Sequence, residues 1–462
     1  MPSLEFVRQS AQDITNLAAN TGRLVNLYPE PIDIGGTAQF ALKAVPGIGD
    51  FAELPGTFVR AMEVISDRDE TGTVLDTLYA ASNGKLHTIA PDGSVAEIGT
   101  IADCPFTTMS GNNGDVTIVC GGKYYLWNGT TLTEPTAGAF DDFGSVAFLG
   151  GYTILTERGG RRFQWSALAD PSDLPGLNFA TAESRDDAII RAFAISGNLW
   201  LFKRSSAEVW QTSGSAAENA FVRLAGGVVE RGLRDFGLIT KIPGGAFFVG
   251  DDGVCYRTSG ASPEPIRHAP VEIAIDKGEA SHVFYYEHQG HKFCVVRFRD
   301  RPAWCWDMAT GLWHERATGD MGPFLASRTV DAFGNWHVAA DGGIVGRLAD
   351  RFRDLAEPLV REATTQTLYN SGQRYRIREV EFMGNVGRSD IGRDAKALVQ
   401  FSRDGGQTWG AVQRRSMGDL GDFGRRMVFG PLGQARKLTA RVRVTDPAEL
   451  TLWSLANVEV TQ

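Results

Sequence analysis

The chain has 462 residues, a formal net charge of −9, 43% hydrophobic residues and 22% charged residues. That apolar fraction can build a core, so an intrinsically disordered chain is excluded. The acidic balance argues against a general nucleic-acid binder, whose phosphate contacts need a basic surface.

The amino-terminal stretch MPSLEFVRQSAQDITNLAAN carries acidic residues and has no apolar run, so it does not read as a signal peptide. Helix periodicity is almost absent: the part before Asn20 is one of two places where a helix of more than two turns could form, and neither pattern is convincing. Nowhere do 18 apolar residues run together, so no membrane-spanning helix is expected. The five cysteines, Cys104, Cys120, Cys255, Cys294 and Cys305, are odd in number and lack CxxC spacing. They read as small buried side chains in a reducing compartment.

From Thr77 onward the chain repeats itself. Seven segments read as strand, tight turn, strand: TLYAASNGKLHTIA, DVTIVCGGKYYLWNG, GYTILTERGGRRFQW, GNLWLFKRSSAEVWQT, GAFFVGDDGVCYRT, GHKFCVVRFRDRPAWCW and GNWHVAADGGIVGRL. Their starts, at residues 77, 115, 151, 197, 245, 290 and 334, are 36 to 48 residues apart. That is the period of a four-stranded propeller blade. The turns use Gly, Asn, Asp or Arg, as short hairpins require. A lone hairpin cannot bury its apolar face, whereas radial stacking gives a continuous core with short edges. The expectation is an all-β chain with a β-propeller of seven blades, alternatively six. Residues 57–350 form the propeller, and residues 1–56 contribute to its closure or to contacts with other proteins. An irregular pair of β-sandwiches is the competing architecture.

Around Ala349–Glu362 a second helix is conceivable, and from Pro358 the strands lengthen. RYRIREVEFMG, AKALVQFSRDGG, KLTARVRVTD and ELTLWSLANVEVTQ predict a separate β-sandwich-like domain over 351–462. In the first of these, Arg374, Arg376 and Arg378 share a face with Val380 and Phe382. Without a bulge this face would be half solvated and half buried, so the strand is expected to cross a domain or subunit boundary.

Chemical motifs are few. SRDGGQTW, Ser402 to Trp409, fits an Asp-box hairpin, in which Ser and Asp cap the turn. One copy is structural rather than a sign of glycan chemistry. His282, His288 and His291, with Glu287, offer an incomplete ligand set, and the Gln-Gly step between the last two histidines reads as a turn with solvent-facing imidazoles. Glu183, Asp186 and Asp187, beside Arg185, could supply paired carboxylates but read as solvated loop acids. No nucleophile elbow, phosphate loop, HExxH or catalytic Cys/His signature is present. No enzyme activity, cofactor, metal or small-molecule substrate is therefore expected. Arg414–Arg415 and Arg425–Arg426 could pair across an interface, though a solvated face is the default.

Several stretches carry a family resemblance. They are VNLYPEP (Val25–Pro31), AVPGIGDF (Ala44–Phe51), ISGNLWLFKRSSAEVWQTSG (Ile195–Gly214), GGVVERGLRDFGLITKI (Gly226–Ile242), FFVGDDGVCYRTSGASPEPI (Phe247–Ile266) and AWCWDMATGLWHERAT (Ala303–Thr318). In this order they resemble the packaged-DNA stabilisation proteins of short-tailed bacteriophages, also called tail hub or nozzle proteins. The resemblance runs from about Asn26 to the end. It implies a propeller with an added β-rich domain, and a homo-hexameric ring below the portal-bound adaptor. Such a ring extends the DNA channel, retains the packaged genome and carries a tail needle or the distal tail, tailspike or fibre proteins. It implies a virion location after assembly in the host bacterial cytoplasm. It brings no catalytic residues with it. Glu230, Arg231, Arg234 and Asp235, in VERGLRDFG, are the candidate inter-subunit contacts. A glycan-binding or sialidase-like propeller and a receptor-binding tail protein are the alternative functions.

Overall fold

A computed structural model describes residues 3–6, 22–34, 37–68, 74–136, 138–214, 219–260, 262–369, 372–388 and 394–461. The candidate helix before Asn20 lies outside these residues. Two compact units form, one from residues 1–49, 287–325 and 348–462, the other from 50–286 and 326–347.

The second unit is a succession of antiparallel four-stranded meanders. Five are continuous in sequence, each with its strands in chain order. The first contains Val59–Arg68, Val74–Ser82, Lys85–Ile89 and Val95–Thr100. The second contains Thr108–Asn112, Asp115–Cys120, Lys123–Trp127 and Leu132–Thr133. The third contains Phe143–Leu149, Tyr152–Glu157, Arg162–Trp165 and Phe179–Thr181. The fourth contains Ile189–Ile195, Asn198–Lys203, Ala207–Thr212 and Phe221–Val229. The fifth contains Ile239–Ile242, Gly245–Val249, Cys255–Thr258 and Glu264–Ile266. In these five sheets the hairpins legible in sequence are always the second and third strands. A further meander, Ala326–Ala332, Asn335–Ala340 and Ile344–Ala349, takes its next strand from Gly47–Glu53, far upstream. Nearby, Leu54 N–H donates to Gly343 O at 2.9 Å.

The turn chemistry explains the hairpins. Asn83-Gly84, Asn113-Gly114 and Ser196-Gly197 all have positive φ at both positions, from 49° to 85°. A two-residue hairpin needs that twist to match its strands. Opening strands pack in succession: Ala326–Ala332 on Val59–Arg68, that strand on Thr108–Asn112, then Phe143–Leu149, then Ile189–Ile195. The apolar cores lie between consecutive sheets. Ala61, Tyr79 and Leu86 meet Val116, Ile118 and Tyr125 between the first and second. Phe163 and Trp165 meet Ala192, Leu199 and Phe221 between the third and fourth. Complete burial of a side chain such as Phe163, which has 0% exposure, contributes about 1.5–3 kcal/mol. Neither sheet could retain that stabilisation alone.

The first unit is also β-rich. One sheet runs His291–Phe298, Ala303–Asp307, Trp313–Arg316, Leu24–Val25, Arg361–Thr364, Lys437–Val444, Lys396–Ser402 and Gln413–Ser416. Another orders Leu27–Ile34, Thr37–Ala44, Thr451–Thr461, Tyr375–Gly384 and Met427–Phe429. The parity problem at Arg374–Phe382 is solved by a break in register between Ile377 and Glu379. Tyr375 and Ile377 are buried before it, and Val380 and Phe382 after it. An irregularity of this kind re-aims the following side chains, so the expected boundary crossing is not required.

No helix forms over 349–362, where short strands occur instead. The helix among the described residues is Ala269–Lys277, which the sequence analysis missed. Its signals were present. Pro270 opens the first turn, where its missing N–H costs nothing, and Val271, Ala274 and Ile275 bury one stripe.

Candidate assembly surface and polar clusters

The VERGLRDFG loop follows the outermost strand of the fourth sheet. Glu230 receives Arg185 Nη2 at 2.8 Å, an exposed pair. Arg231 is committed within the chain, with Nη1 2.9 Å from Asp251 and 3.3 Å from Asp252. Asp251 also accepts the Gly232 N–H at 3.1 Å. Gly232 is required there, because a Cβ would collide with the Arg204 carbonyl. Arg234 reaches the Ile275 carbonyl at 3.4 Å, and its side chain and that of Asp235 are exposed. Charge clustering in the sequence singles out these four residues but cannot show the Arg231 pairing.

The TAESRDDAII acids are locally employed. Asp187 accepts Ser205 N–H at 2.8 Å and Ser205 Oγ at 2.9 Å, while Asp186 pairs with Arg161 at 2.9 Å. Glu183 is exposed. Beneath them is a pair that sequence reasoning missed, Lys203 and Glu208, both fully buried and 3.1 Å apart. Lys203 Nζ also donates to Ala182 O and Arg185 O, both at 2.9 Å. Glu208 accepts Ser184 N–H and Oγ at 2.8 and 2.7 Å. Burial alone would raise the Glu208 carboxyl, but Ser184 and Lys203 hold it below its ordinary value. A buried pair satisfied on all sides braces the loop rather than offering a free acid and base.

In the first unit Gln289-Gly290 is the expected turn, with φ of 49° and 84°. His291, however, is not solvent-facing. It is buried, with Nδ1 2.8 Å from Asp307 Oδ2 and Nε2 2.7 Å from Glu30 Oε2. Two carboxylates at two ring nitrogens favour the doubly protonated ring, and Asp307 foremost raises its pKa against the opposing effect of burial. His288 lies 3.2 Å from Asp350, and burial lowers its pKa. His282 belongs to the other unit, and Glu287 is exposed. Among the described residues no group of three or more His, Cys, Asp or Glu is arranged to hold a metal ion.

The same unit holds a buried hub. Asn26, at φ 57°, donates Nδ2 to Ala317 O at 2.9 Å and Val360 O at 2.7 Å. Its Oδ1 accepts Arg316 Nη1 at 3.0 Å and Ala317 N–H at 2.9 Å. Arg316 in turn pairs with Asp354 at 2.7 Å, both side chains almost wholly buried. Asn26 and Glu30 come from VNLYPEP, and Asp307 and Arg316 from AWCWDMATGLWHERAT. These two separated motifs meet because they clamp each other.

Ser402 and Asp404 cap their turn as expected: Ser402 Oγ accepts Gly406 N–H at 2.8 Å, and Asp404 accepts Gln407 N–H at 2.9 Å. The Ser402 hydroxyl foremost, then Thr408, hold the Asp404 carboxyl far below its ordinary range. Arg441 stacks on Trp409 at 4.4 Å. Arg426 grips Glu381 with two bonds of 2.6 and 2.8 Å, and Arg425 pairs with Asp422 at 3.1 Å. All five cysteines are free thiols, four of them buried.

Side chains from non-neighbouring sheets meet inside the second unit. The Phe106 ring, just before the second sheet, lies 5.2 Å from that of Phe236, just before the fifth. Arg191, on the opening strand of the fourth sheet, donates to Phe236 O at 3.1 Å.

The family model described as bacteriophage P22 Gp10, beta-propeller, matches residues 18–350. The one described as bacteriophage P22 Gp10, beta-sandwich, matches residues 360–461. No curated protein matches. Among solved structures, the computationally designed Ika8 protein is 12% identical, covers 65% of this chain and 99% of its own, and has a TM-score of 0.38. PorZ of the Porphyromonas gingivalis type-IX secretion system is 11% identical, covers 71% of this chain and 44% of its own, and has a TM-score of 0.40. Neither likeness is close enough to carry an argument.

Proposed function

We propose, from the premise that this chain belongs to the bacteriophage P22 Gp10 family, that six copies ring the channel below the portal-bound adaptor. As a member of that family it is a structural protein of the phage virion, built as a β-propeller followed by a β-sandwich. The observation that carries the finer reading is the pair of family matches in order, over 18–350 and 360–461. The ring extends the DNA channel, retains the packaged genome, and carries the needle or distal tail proteins. It acts without catalysis.

Seven blades, six of them the meanders of the second unit, span residues 57–350, with Gly47–Glu53 closing the last. The close approach of Phe106, Arg191 and Phe236 supports a conduit outside the individual propeller. A duplex whose major groove alone is about 12 Å wide could not pass those side chains. The conduit is then the lumen of the ring. Cyclic rings use unlike faces of neighbouring copies, and the exposed Glu230, Arg234 and Asp235, with Arg231 as their anchored neighbour, contribute to them.

The experiment is depletion of the chain during infection. Particles lacking it should fill with DNA and then lose it, and supply of the wild-type chain should restore retention. Filled, stable and infectious particles without it would overturn the reading.

A further inference from the structure

Arg191, Glu63 and Lys241 lie on the opening strands of the fourth, first and fifth sheets of the second unit. These strands are not all neighbours, yet Glu63 feels the charges of both Lys241 and Arg191. The guanidinium of Arg191 sits between two rings, with its central carbon 5.3 Å from Phe193 and 5.0 Å from Phe236. Nη1 donates to the Phe236 carbonyl at 3.1 Å. Nε is buried and has no hydrogen-bond partner among the described residues.

A cation in such a place normally has a carboxylate in contact, because an uncompensated buried charge costs several kcal/mol. Among the described residues no carboxylate forms an ion pair with Arg191. Burial is the largest influence on its guanidinium, lowering it to about 10, and the charge of Glu63 offsets this only in part. The Glu63 carboxyl is itself raised, chiefly by burial, against the lowering effect of Lys241 and Arg191. Two cations thus face one acid.

We propose that the middle of this unit is a binding site for a small oxyanion, held by Arg191 and Lys241. Arg presents a planar fork suited to phosphate or carboxylate oxygens, while Lys adds a point charge. The Phe106–Phe236 contact limits the ligand to a free anion, not the phosphate of a polynucleotide. This inference does not depend on the ring or on any partner.

The test is titration calorimetry of the full chain with inorganic phosphate at constant ionic strength. The expected result is saturable binding, weakened about tenfold in Arg191→Met, which is the loss of about 1.4 kcal/mol. Lys241→Met, at an exposed position, should weaken it severalfold. Glu63→Gln should tighten it by removing the competing charge. A short single-stranded oligonucleotide should not compete. Absence of saturable binding to the wild-type chain, or unchanged affinity in both Lys241→Met and Glu63→Gln, overturns the site. These two variants decide the matter even where Arg191→Met fails to fold. Competition by the oligonucleotide overturns the restriction to small anions.

Discussion

His291 illustrates how one residue couples charge to stability. Its pKa is raised in the folded chain, so its contribution is complete below the unfolded value of about 6.5 and is lost as pH rises through the folded value. Glu30 and Asp307 are held below their ordinary values, so their contribution is lost as pH falls through those lowered values. For Asp307, burial opposes that shift and the His291 bond prevails. Stability from this cluster is therefore greatest between the two limits. His291→Gln should destabilise the chain by roughly 3 kcal/mol near neutrality, less than a wholly buried pair because Glu30 is partly exposed. It should also flatten the decline on the alkaline side. Urea melts across pH measure both, and an unchanged alkaline slope in the variant would contradict the assignment. His291 was visible in the sequence as a histidine after a turn. Its partners Glu30 and Asp307 are 261 and 16 residues away, so no local spacing could reveal them.

At the scale of elements, the hairpins were legible because short turns rich in Gly, Asn, Asp or Arg separate apolar strands. The opening strands that carry Glu63 and Arg191 read as short apolar runs, FVRAMEVIS and AIIRAFAIS, ahead of their hairpins. The Ala269–Lys277 helix was masked by the prolines around it, and the Tyr375–Gly384 irregularity by a pattern that looks continuous. Glycines separate two physical roles. Gly197 has φ 77° and open space where a Cβ would stand, so Gly197→Ala should cost only the left-handed backbone, about 1–2 kcal/mol. A Cβ on Gly245 would overlap the Thr258 carbonyl of the paired strand. Gly245→Ala must push the two strands apart, so its loss should exceed that of Gly197→Ala. Thermal denaturation of both variants gives the order, and equal effects would remove the distinction between torsional and steric demand.

For the whole molecule, the repeat spacing and the quoted motifs were enough to indicate a propeller, a following sandwich and a phage family. Composition could not reveal which residues share a compact unit. The first unit draws on residues 1–49, 287–325 and 348–462, three stretches joined by packing rather than by sequence proximity. Assembly depends on a different balance. A net charge of −9 gives identical copies mutual repulsion, and contacts between unlike faces can otherwise run into filaments. Docking on a symmetric platform raises the effective concentration of neighbours, so weak lateral contacts suffice. The purified chain should therefore sediment as a monomer or a weak associate at micromolar concentration, and a stable hexamer formed alone would contradict ordered assembly. The central claim, a ring whose lumen continues the DNA channel, is tested most directly by cryo-electron microscopy of the intact tail at a resolution that follows the chain. Six copies are expected below the adaptor, with duplex density along the ring axis and none inside any single propeller. Another copy number, a position away from the channel, or a duplex threading one propeller would contradict it.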